Sequence, residues 1–326
     1  MTAPPALLPL LRRGDRRALA RAITLVESTR PDHRAQAEAL LAAASPYAGN
    51  SFRIGVSGPP GAGKSTFVER FGLDGVARGR HVAVLAIDPA SKRGGGAILA
   101  DKTRMAELAR SPDAFIRPSS AGLSRGGASR HTREAILLCE AAGFDAVIVE
   151  SVGVGQSETA VAEMTDMLVL ILPPAAGDEL QGIKRGIVEL ADLVLVNKAD
   201  GDLAEVAQRT AADYGSAMRL IHPPSGEWEV PVRAVSALEG LGVAEIWDDV
   251  ARFRAGREAT GAWVERRRDQ ARAALWAEID AGLIEHFRTA PAVAERLAAV
   301  EADVVSGARN PAEAARALVA GFLGEP

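Results

Sequence analysis

Residues 58 to 66 read GPPGAGKST and follow directly on the apolar run FRIGVS, residues 52 to 57. That succession limits the fold more than any other feature of the chain. Gly58, Gly63, Lys64 and Ser65 satisfy G-x-x-x-x-G-K-[ST], a loop that works only between a buried strand and the first turn of a helix. Glycine tolerates the backbone angles that turn successive N–H groups toward one point, and the following helix adds its positive N-terminal end. The whole run, Gly58, Pro59, Pro60, Gly61, Ala62, Gly63, Lys64, Ser65 and Thr66, is therefore the expected phosphate cradle. Lys64 is placed to reach the β- and γ-phosphates, and the Ser65 hydroxyl to bind magnesium. A glycine-rich structural turn would need neither the lysine nor the hydroxyl at those positions.

The surrounding chain agrees. Short apolar runs recur at HVAVLAID (81–88), AFIR (114–117), DAVIVE (145–150), DMLVLIL (166–172), DLVLVN (192–197) and VPVRAVS (230–236), with helical segments between them. Most are apolar throughout rather than alternating, as in strands covered on both faces. Strand and helix in alternation predict a mostly parallel central sheet with right-handed crossovers, a three-layer α/β domain. Residues 1–48 form an N-terminal helical segment: Leu19, Ile23 and Val26, then Leu40 and Leu41, fall at helical spacing, and Ser45-Pro46 closes the stretch. Residues 49–250 are the nucleotide-binding domain. Residues 251–326 return to alanine-rich, charged helices, a C-terminal arm in which Pro291 and Pro311 suit first turns. Leu275, Ile279 and Leu283 share one helical face there. Such a stripe serves internal packing or a dimer contact.

The base is read from a second motif. Asn197, Lys198 and Asp200 form N-K-x-D at the end of a strand. A carboxylate at Asp200 can accept from both the ring N1–H and the exocyclic amine of guanine, whereas adenine would leave it desolvated and unpaired at about 1–3 kcal/mol or more. The stem of Lys198 would cover the base plane. Ser236, Ala237 and Leu238 follow a later strand, where a backbone N–H could meet the guanine carbonyl. Taken alone, NKAD could be a solvated turn. Behind a phosphate loop, with each motif at a strand end, the ligand edge of an open α/β sheet is the simpler account, and the nucleotide is GTP.

Composition narrows the rest. Net charge is −4, without the basic excess a phosphate-backbone binder needs, so nucleic acid is not expected as a partner. A single cysteine, Cys139, sits in the apolar stretch AILLCEAAG; it cannot pair internally, which fits a reducing, cytoplasmic compartment, and it has no activating neighbour in sequence. The apolar run MLVLIL, which no other exceeds in length, ends in two prolines and is too short to span a bilayer. At the N-terminus the basic residues follow the apolar ones, the reverse of a secretory signal.

One stretch remains. Residues 150 to 158 read ESVGVGQSE, an acid at the end of a buried run followed by two glycines and a glutamine. With GPPGAGKST, AIDPAS, the DKTRM stretch (Asp101 to Met105), AGDELQGIKRGIVELAD (176–192) and NKAD, it makes the chain resemble the MeaB/ArgK family over most of its length, from about residue 14 to the C-terminal helices. The phosphate loop and N-K-x-D are shared by many GTPases; VGVGQSE and AGDELQGIKRG are narrower.

The resemblance implies a P-loop GTPase that accompanies an adenosylcobalamin-dependent acyl-CoA mutase such as methylmalonyl-CoA mutase. Such a chaperone helps to load intact cofactor and prevents capture of inactivated cobalamin, with GTP hydrolysis as the gate. It implies GTP/GDP and Mg2+ as ligands and a homodimer formed through the C-terminal helices. Asp88, Asp101 and Glu150 are similar to acidic residues around the magnesium, with Ser65. Residues 150 to 158 look like switch II, and 174 to 184 like a loop that senses the mutase.

Gln156 is a candidate to orient the attacking water, though a glutamine in a glycine turn also serves as a hydrogen-bonding cap. Lys184, with Asp178 and Glu179, is a candidate for partner-dependent switching, or else a solvated helix start. No arginine finger is evident, so slow basal turnover is expected. The chain departs from the family pattern at Ala100, where glycine is expected, at Ser151, where threonine is expected, and in RPSSAGLSRGGASRHTRE, where Arg125 and His131 are unusual. Two other classes remain: a kinase or GTPase linked to transport of lysine, arginine or ornithine, which needs an acceptor site, and a metal-insertion GTPase, which five scattered histidines and one cysteine do not favour.

Overall fold

The computed structural model describes residues 4–28, 30–88, 105–120, 127–151, 157–174, 185–221 and 228–324. Seven strands form one sheet: β1 (Phe52–Ser57), β2 (Val82–Asp88), β3 (Ala114–Ser120), β4 (Ala146–Ser151), β5 (Met167–Leu172), β6 (Leu193–Val196) and β7 (Val232–Ala234). Their order is β3-β2-β4-β1-β5-β6-β7, and every neighbouring pair is parallel. The strand that feeds the phosphate loop is thus central, with β2–β4 on one side and β5–β7 on the other. All strand ends that lead into candidate site loops lie on one edge of the sheet.

Side-chain alternation divides the sheet between two cores. Val82 and Val84, Ala146 and Ile148, and Val169 and Ile171 face one core with Phe67, Phe71 and Trp247. Ala83 and Leu85, Val147 and Val149, and Leu168 and Leu170 face the other with Leu19, Ile23 and Leu138. The first core is closed by α4 (Lys64–Ala77), α5 (Ala106–Arg110) and α10 (Ile246–Thr260). There the Trp247 ring stacks on Phe71 at 4.2 Å, and its indole N–H donates to the Phe71 carbonyl at 3.0 Å, so its one polar group is satisfied. The second core is closed by α6 (Gly127–Ala141), α7 (Ser157–Met164) and α8 (Arg185–Leu190). Over α6 lie α2 (Arg16–Val26) and α3 (Pro31–Ala44), on which α1 (Pro4–Leu11) packs in turn, with a short 3-10 turn at Ser45–Tyr47. Helix α2 starts where the Asp15 carboxylate accepts from the N–H groups of Arg17 and Ala18. Helix α9 (Ala204–Ile221) packs on β6 and β7.

The packing forms two compact units, residues 1–270 and 271–326. The second is a helical unit. In it α12 (Pro291–Val305) and α13 (Pro311–Leu323) bury Val293, Val300, Ala314 and Leu318 together. Both helices begin with proline, and Asn310 caps α13 by accepting from the N–H groups of Ala312 and Glu313. Helix α11 (Ala262–Thr289) precedes them. Among the described residues, no helix is long and apolar enough to cross a membrane.

Opposite the loop edge, the start of the sheet is fastened by buried charges that no local pattern announces. The Glu140 carboxylate takes both arms of the Arg53 guanidinium at 2.8 and 2.9 Å, the Ser51 hydroxyl at 2.6 Å and the Gly49 N–H at 2.7 Å. Asp166 accepts from the Arg53 N–H at 2.7 Å and from Arg267 of α11 at 2.6 Å. Burial alone would raise the Glu140 carboxyl, but the Arg53 guanidinium with Ser51 and Gly49 holds it below its ordinary value. Burial raises Asp166, and Arg267 and Arg53 offset that only in part.

Glu140→Gln should lower stability by about 3 kcal/mol, the lower end for a buried pair, because it leaves the half-buried Arg53 guanidinium without its counter-charge. A group with a depressed folded value stabilises above its unfolded value and loses that contribution as pH falls. The fall in stability below the ordinary glutamate value of 4.5 should therefore be shallower in Glu140→Gln than in the parent, as read by urea unfolding across pH. Asp166, shifted the other way, works against this trend in both proteins.

Candidate nucleotide site

The phosphate loop is fixed at both ends by close approaches. Gly58 has φ +149°, and a Cβ there would stand 2.0 Å from the Ile171 carbonyl oxygen of β5. Gly63 has φ +87°, and its Cβ would meet the Asn197 amide nitrogen at 2.4 Å. Neither position admits a side chain. Lys64 opens α4 and is buried; its ammonium donates to the carbonyls of Gly58 at 2.8 Å and Pro59 at 3.0 Å. The loop is thereby closed on itself, with Pro60, Gly61 and Thr66 exposed on its outer side and Ala62 buried beneath.

At the outgoing end of the loop, the Ser65 hydroxyl donates to the Glu150 carboxylate at 2.7 Å. Glu150 is buried at the end of β4, one residue short of Ser151. Of the other expected acids, Asp88 ends β2, beside β4, where its neighbour Ile87 pairs with Ser151. The Asp88 side chain and the whole of Asp101 lie outside the described residues, as do Gln156, Lys184, Asp178, Glu179 and Arg125. A hydroxyl and a carboxylate on adjacent strand and helix ends are hard oxygen donors, the kind magnesium takes together with phosphate oxygens.

The base-reading motifs converge beside the loop. Asn197 is buried; its amide donates to the Ala62 carbonyl at 2.8 Å, and its carbonyl accepts from the Ala237 N–H at 3.0 Å. One side chain therefore joins the phosphate loop to the segment after β7. Sequence reasoning assigned Asn197 to the nucleotide and missed this strut, which only the tertiary fold could show. Of the Ser236, Ala237 and Leu238 N–H groups, one of which was expected to meet the guanine carbonyl, that of Ala237 is already the donor of this bond. Lys198 has φ +63°, and no other non-glycine residue among the described ones is left-handed. Held strain of this kind is found where a side chain must be aimed. Asp200 accepts from the Ser236 hydroxyl, which also accepts from the Glu239 N–H at 3.1 Å. Leu238 is exposed beside them.

Two other sequence candidates are located. Cys139 is fully buried, and burial together with Glu140 pushes its thiol far up, so it is inert packing. His131 lies at the start of α6 with Glu134 and Arg130, each at 3.1 Å from that carboxylate.

A family model described as "Methylmalonyl Co-A mutase-associated GTPase MeaB" matches residues 19–292. The chain belongs to the MeaB family. This MeaB-family chain is 52% identical to a putative GTPase of Caulobacter vibrioides over 309 residues, covering 95% of this chain and 94% of that one. It is 47% identical to the mouse mitochondrial "Methylmalonic aciduria type A homolog", covering 95% and 77% respectively. It is also 47% identical to the Escherichia coli "GTPase ArgK", covering 85% and 84%. Among solved structures, one described as a LAO/AO transport system kinase superposes with a TM-score of 0.76 at 37% identity over 98% of both chains. The expected family and the parallel α/β fold are thus both borne out. This family member is a GTPase, and the nucleotide it binds is a guanine nucleotide.

Proposed function

We propose that the protein is a GTP-hydrolysing partner of an adenosylcobalamin-dependent acyl-CoA mutase, of the methylmalonyl-CoA mutase class. In this reading GTP hydrolysis gates cofactor loading and guards the mutase against inactivated cobalamin. The observation that carries the site is the 2.7 Å contact of Ser65 with Glu150, which joins the phosphate loop to the strand end that enters residues 150 to 158. A loss of the γ-phosphate felt at Ser65 reaches that segment through one hydrogen bond. The names of the family model and of the mouse relative support the choice of partner.

The parts divide as follows. Loop N–H groups and Lys64 hold the phosphates; Asp200, Lys198 and Ser236 hold the base. Ser65 and Glu150, with Asp88 and Asp101 as further carboxylates, would hold a magnesium ion, which supplies positive charge to the phosphate oxygens. Gln156 is the residue proposed to orient water, and Lys184 the one that responds to the partner. Phosphoryl transfer to water asks chiefly for charge neutralisation and alignment, which these groups provide.

The proposed division is a helical segment over 1–48, a GTPase domain over 49–250 and a dimer-forming arm over 251–326, with residues 251–270 also serving the GTPase unit. Leu275, Trp276, Ile279, Leu283 and Ile284 are exposed along α11 and supply an apolar face for a second copy. A single-chain mass by light scattering would remove the dimer.

The decisive experiment mixes the purified protein with an adenosylcobalamin-dependent mutase and follows cofactor transfer and mutase inactivation under GTP, GDP and no nucleotide. Nucleotide-dependent association and loading are expected. No association, and no effect of GTP on either measure, would end the mutase reading while leaving the GTPase intact. Phosphate transferred to an acceptor other than water would favour a kinase instead.

A further inference from the structure

Two hydroxyls at the incoming side of the phosphate loop have no part in the scheme above. Ser57 is the last residue of β1, and Ser151 is the last residue of β4. The strands run parallel with Val56 opposite Glu150, so the next step along each brings Ser57 and Ser151 side by side. Both are fully buried, and the Ser151 hydroxyl donates to the Ser57 hydroxyl at 2.9 Å. Hydroxyls in so apolar a place are costly unless they bond to each other or to the backbone. An alanine pair would have filled the same sheet position without that demand.

The contact is one of two. Ser57 precedes the first residue of the loop, Gly58, and Ser65 follows Lys64 on its far side. Ser57 binds Ser151, and Ser65 binds Glu150. The entry and the exit of the loop therefore grip consecutive residues of β4. The entry cannot drift, because Gly58 lies against the Ile171 carbonyl of β5. On the other side Ser151 pairs with Ile87, next to Asp88 at the end of β2. Ser151 thus stands between the strand ends that carry the loop and one further expected acid.

We propose that Ser57 and Ser151 are positioning residues for Glu150: their hydroxyl bond fixes the β4 terminus against the loop entry so that the Glu150 carboxylate stays aimed at Ser65. The proposal rests on the reading of Ser65 and Glu150 as magnesium-holding groups. The bond requires a hydroxyl at 151, so threonine, which keeps it, should keep the function while alanine loses it.

The test measures the magnesium concentration needed for half-maximal tightening of a fluorescent GTP analogue, with GDP affinity in EDTA as the metal-free reference. Glu150→Gln is the control for the site itself. Ser151→Ala should raise the magnesium requirement about three- to tenfold, the range of one neutral hydrogen bond. GDP affinity in EDTA should stay unchanged, and Ser151→Thr should restore the parent's value. Ser57→Ala should reproduce Ser151→Ala, and the double variant should add little to either single one. If Glu150→Gln shifts the magnesium requirement and Ser151→Ala does not, the positioning role is overturned while the site stands. If Glu150→Gln itself has no effect, the underlying site reading falls. If Ser151→Ala weakens metal-free GDP binding equally, the pair is merely structural and the proposal fails.

Discussion

Lys64→Ala should lower kcat/KM for GTP about 100- to 1,000-fold, the effect of removing one preorganised donor from a developing phosphate charge. In the proposed site the Lys64 ammonium is the loop side chain that reaches the β- and γ-phosphates, where charge builds during transfer. The same nitrogen also bonds the Gly58 and Pro59 carbonyls, so its loss releases the closure of the loop. The first effect is on the reaction and the second on nucleotide affinity, and single-turnover hydrolysis at saturating GTP separates them. The strand and helix on either side are held by apolar burial, with Val56, Phe67 and Phe71 buried, so the thermal midpoint should change little. Wild-type turnover in Lys64→Ala would refute the site.

Asp200→Asn should invert the choice of base. The Asp200 carboxylate accepts from the Ser236 hydroxyl and still has lone pairs for the guanine N1–H and amine. An introduced amide would face the guanine amine with one of its own donors. Against xanthine, the same donor meets the 2-oxo group and the amide oxygen still accepts from N1–H. Two charge-assisted hydrogen bonds are at stake, so GTP affinity should drop roughly a hundredfold or more while that for xanthosine triphosphate rises. Competition of the two nucleotides for one fluorescent analogue reads the change directly. An unchanged order of preference would show that Asp200 does not read the base.

Both predictions start from residues legible in the chain. Gly58, Gly63, Lys64 and Ser65 announce themselves because their chemistry is local: nine consecutive residues make the cradle. The inner strands were equally plain. FRIGVS, DMLVLIL and DLVLVN are covered on both faces and so carry unbroken apolar signals, and β1, β5 and β6 follow them within a residue or two. The edges were harder. AFIR extends through Ser120 because β3 pairs with β2 along its whole length, past the apolar residues. VPVRAVS shrinks to Val232–Ala234, since an edge strand has a ladder on one side only. Among the described residues the N-terminal helical stretch holds three helices, the first two separated by residues 12–15.

What sequence could not show is the meeting of distant polar groups. Arg267 reaches the Ser51 carbonyl across 216 positions, and no periodicity relates Arg53, Glu140, Asp166 and Arg267. The Asn197 strut and the Ser57–Ser151 pair are of the same kind. Each is made by strand register, and register follows from the sum of the packing rather than from any one segment.

The fastening of the sheet's starting edge has a consequence for how such chains can be recombined. Arg267 holds Asp166 and the Ser51 carbonyl, Arg266 and Gln270 take the carbonyl of Thr165, and Trp263 stacks on Phe52 at 5.4 Å. All four come from the opening turns of α11, well after the last strand. A crossover that exchanged C-terminal helices between two relatives near residue 250 would therefore strip the catalytic half of its own closure and import a foreign one. A crossover after Gln270 would leave each sheet with the residues it evolved alongside. Lineages free to change their C-terminal helices should carry their junctions there.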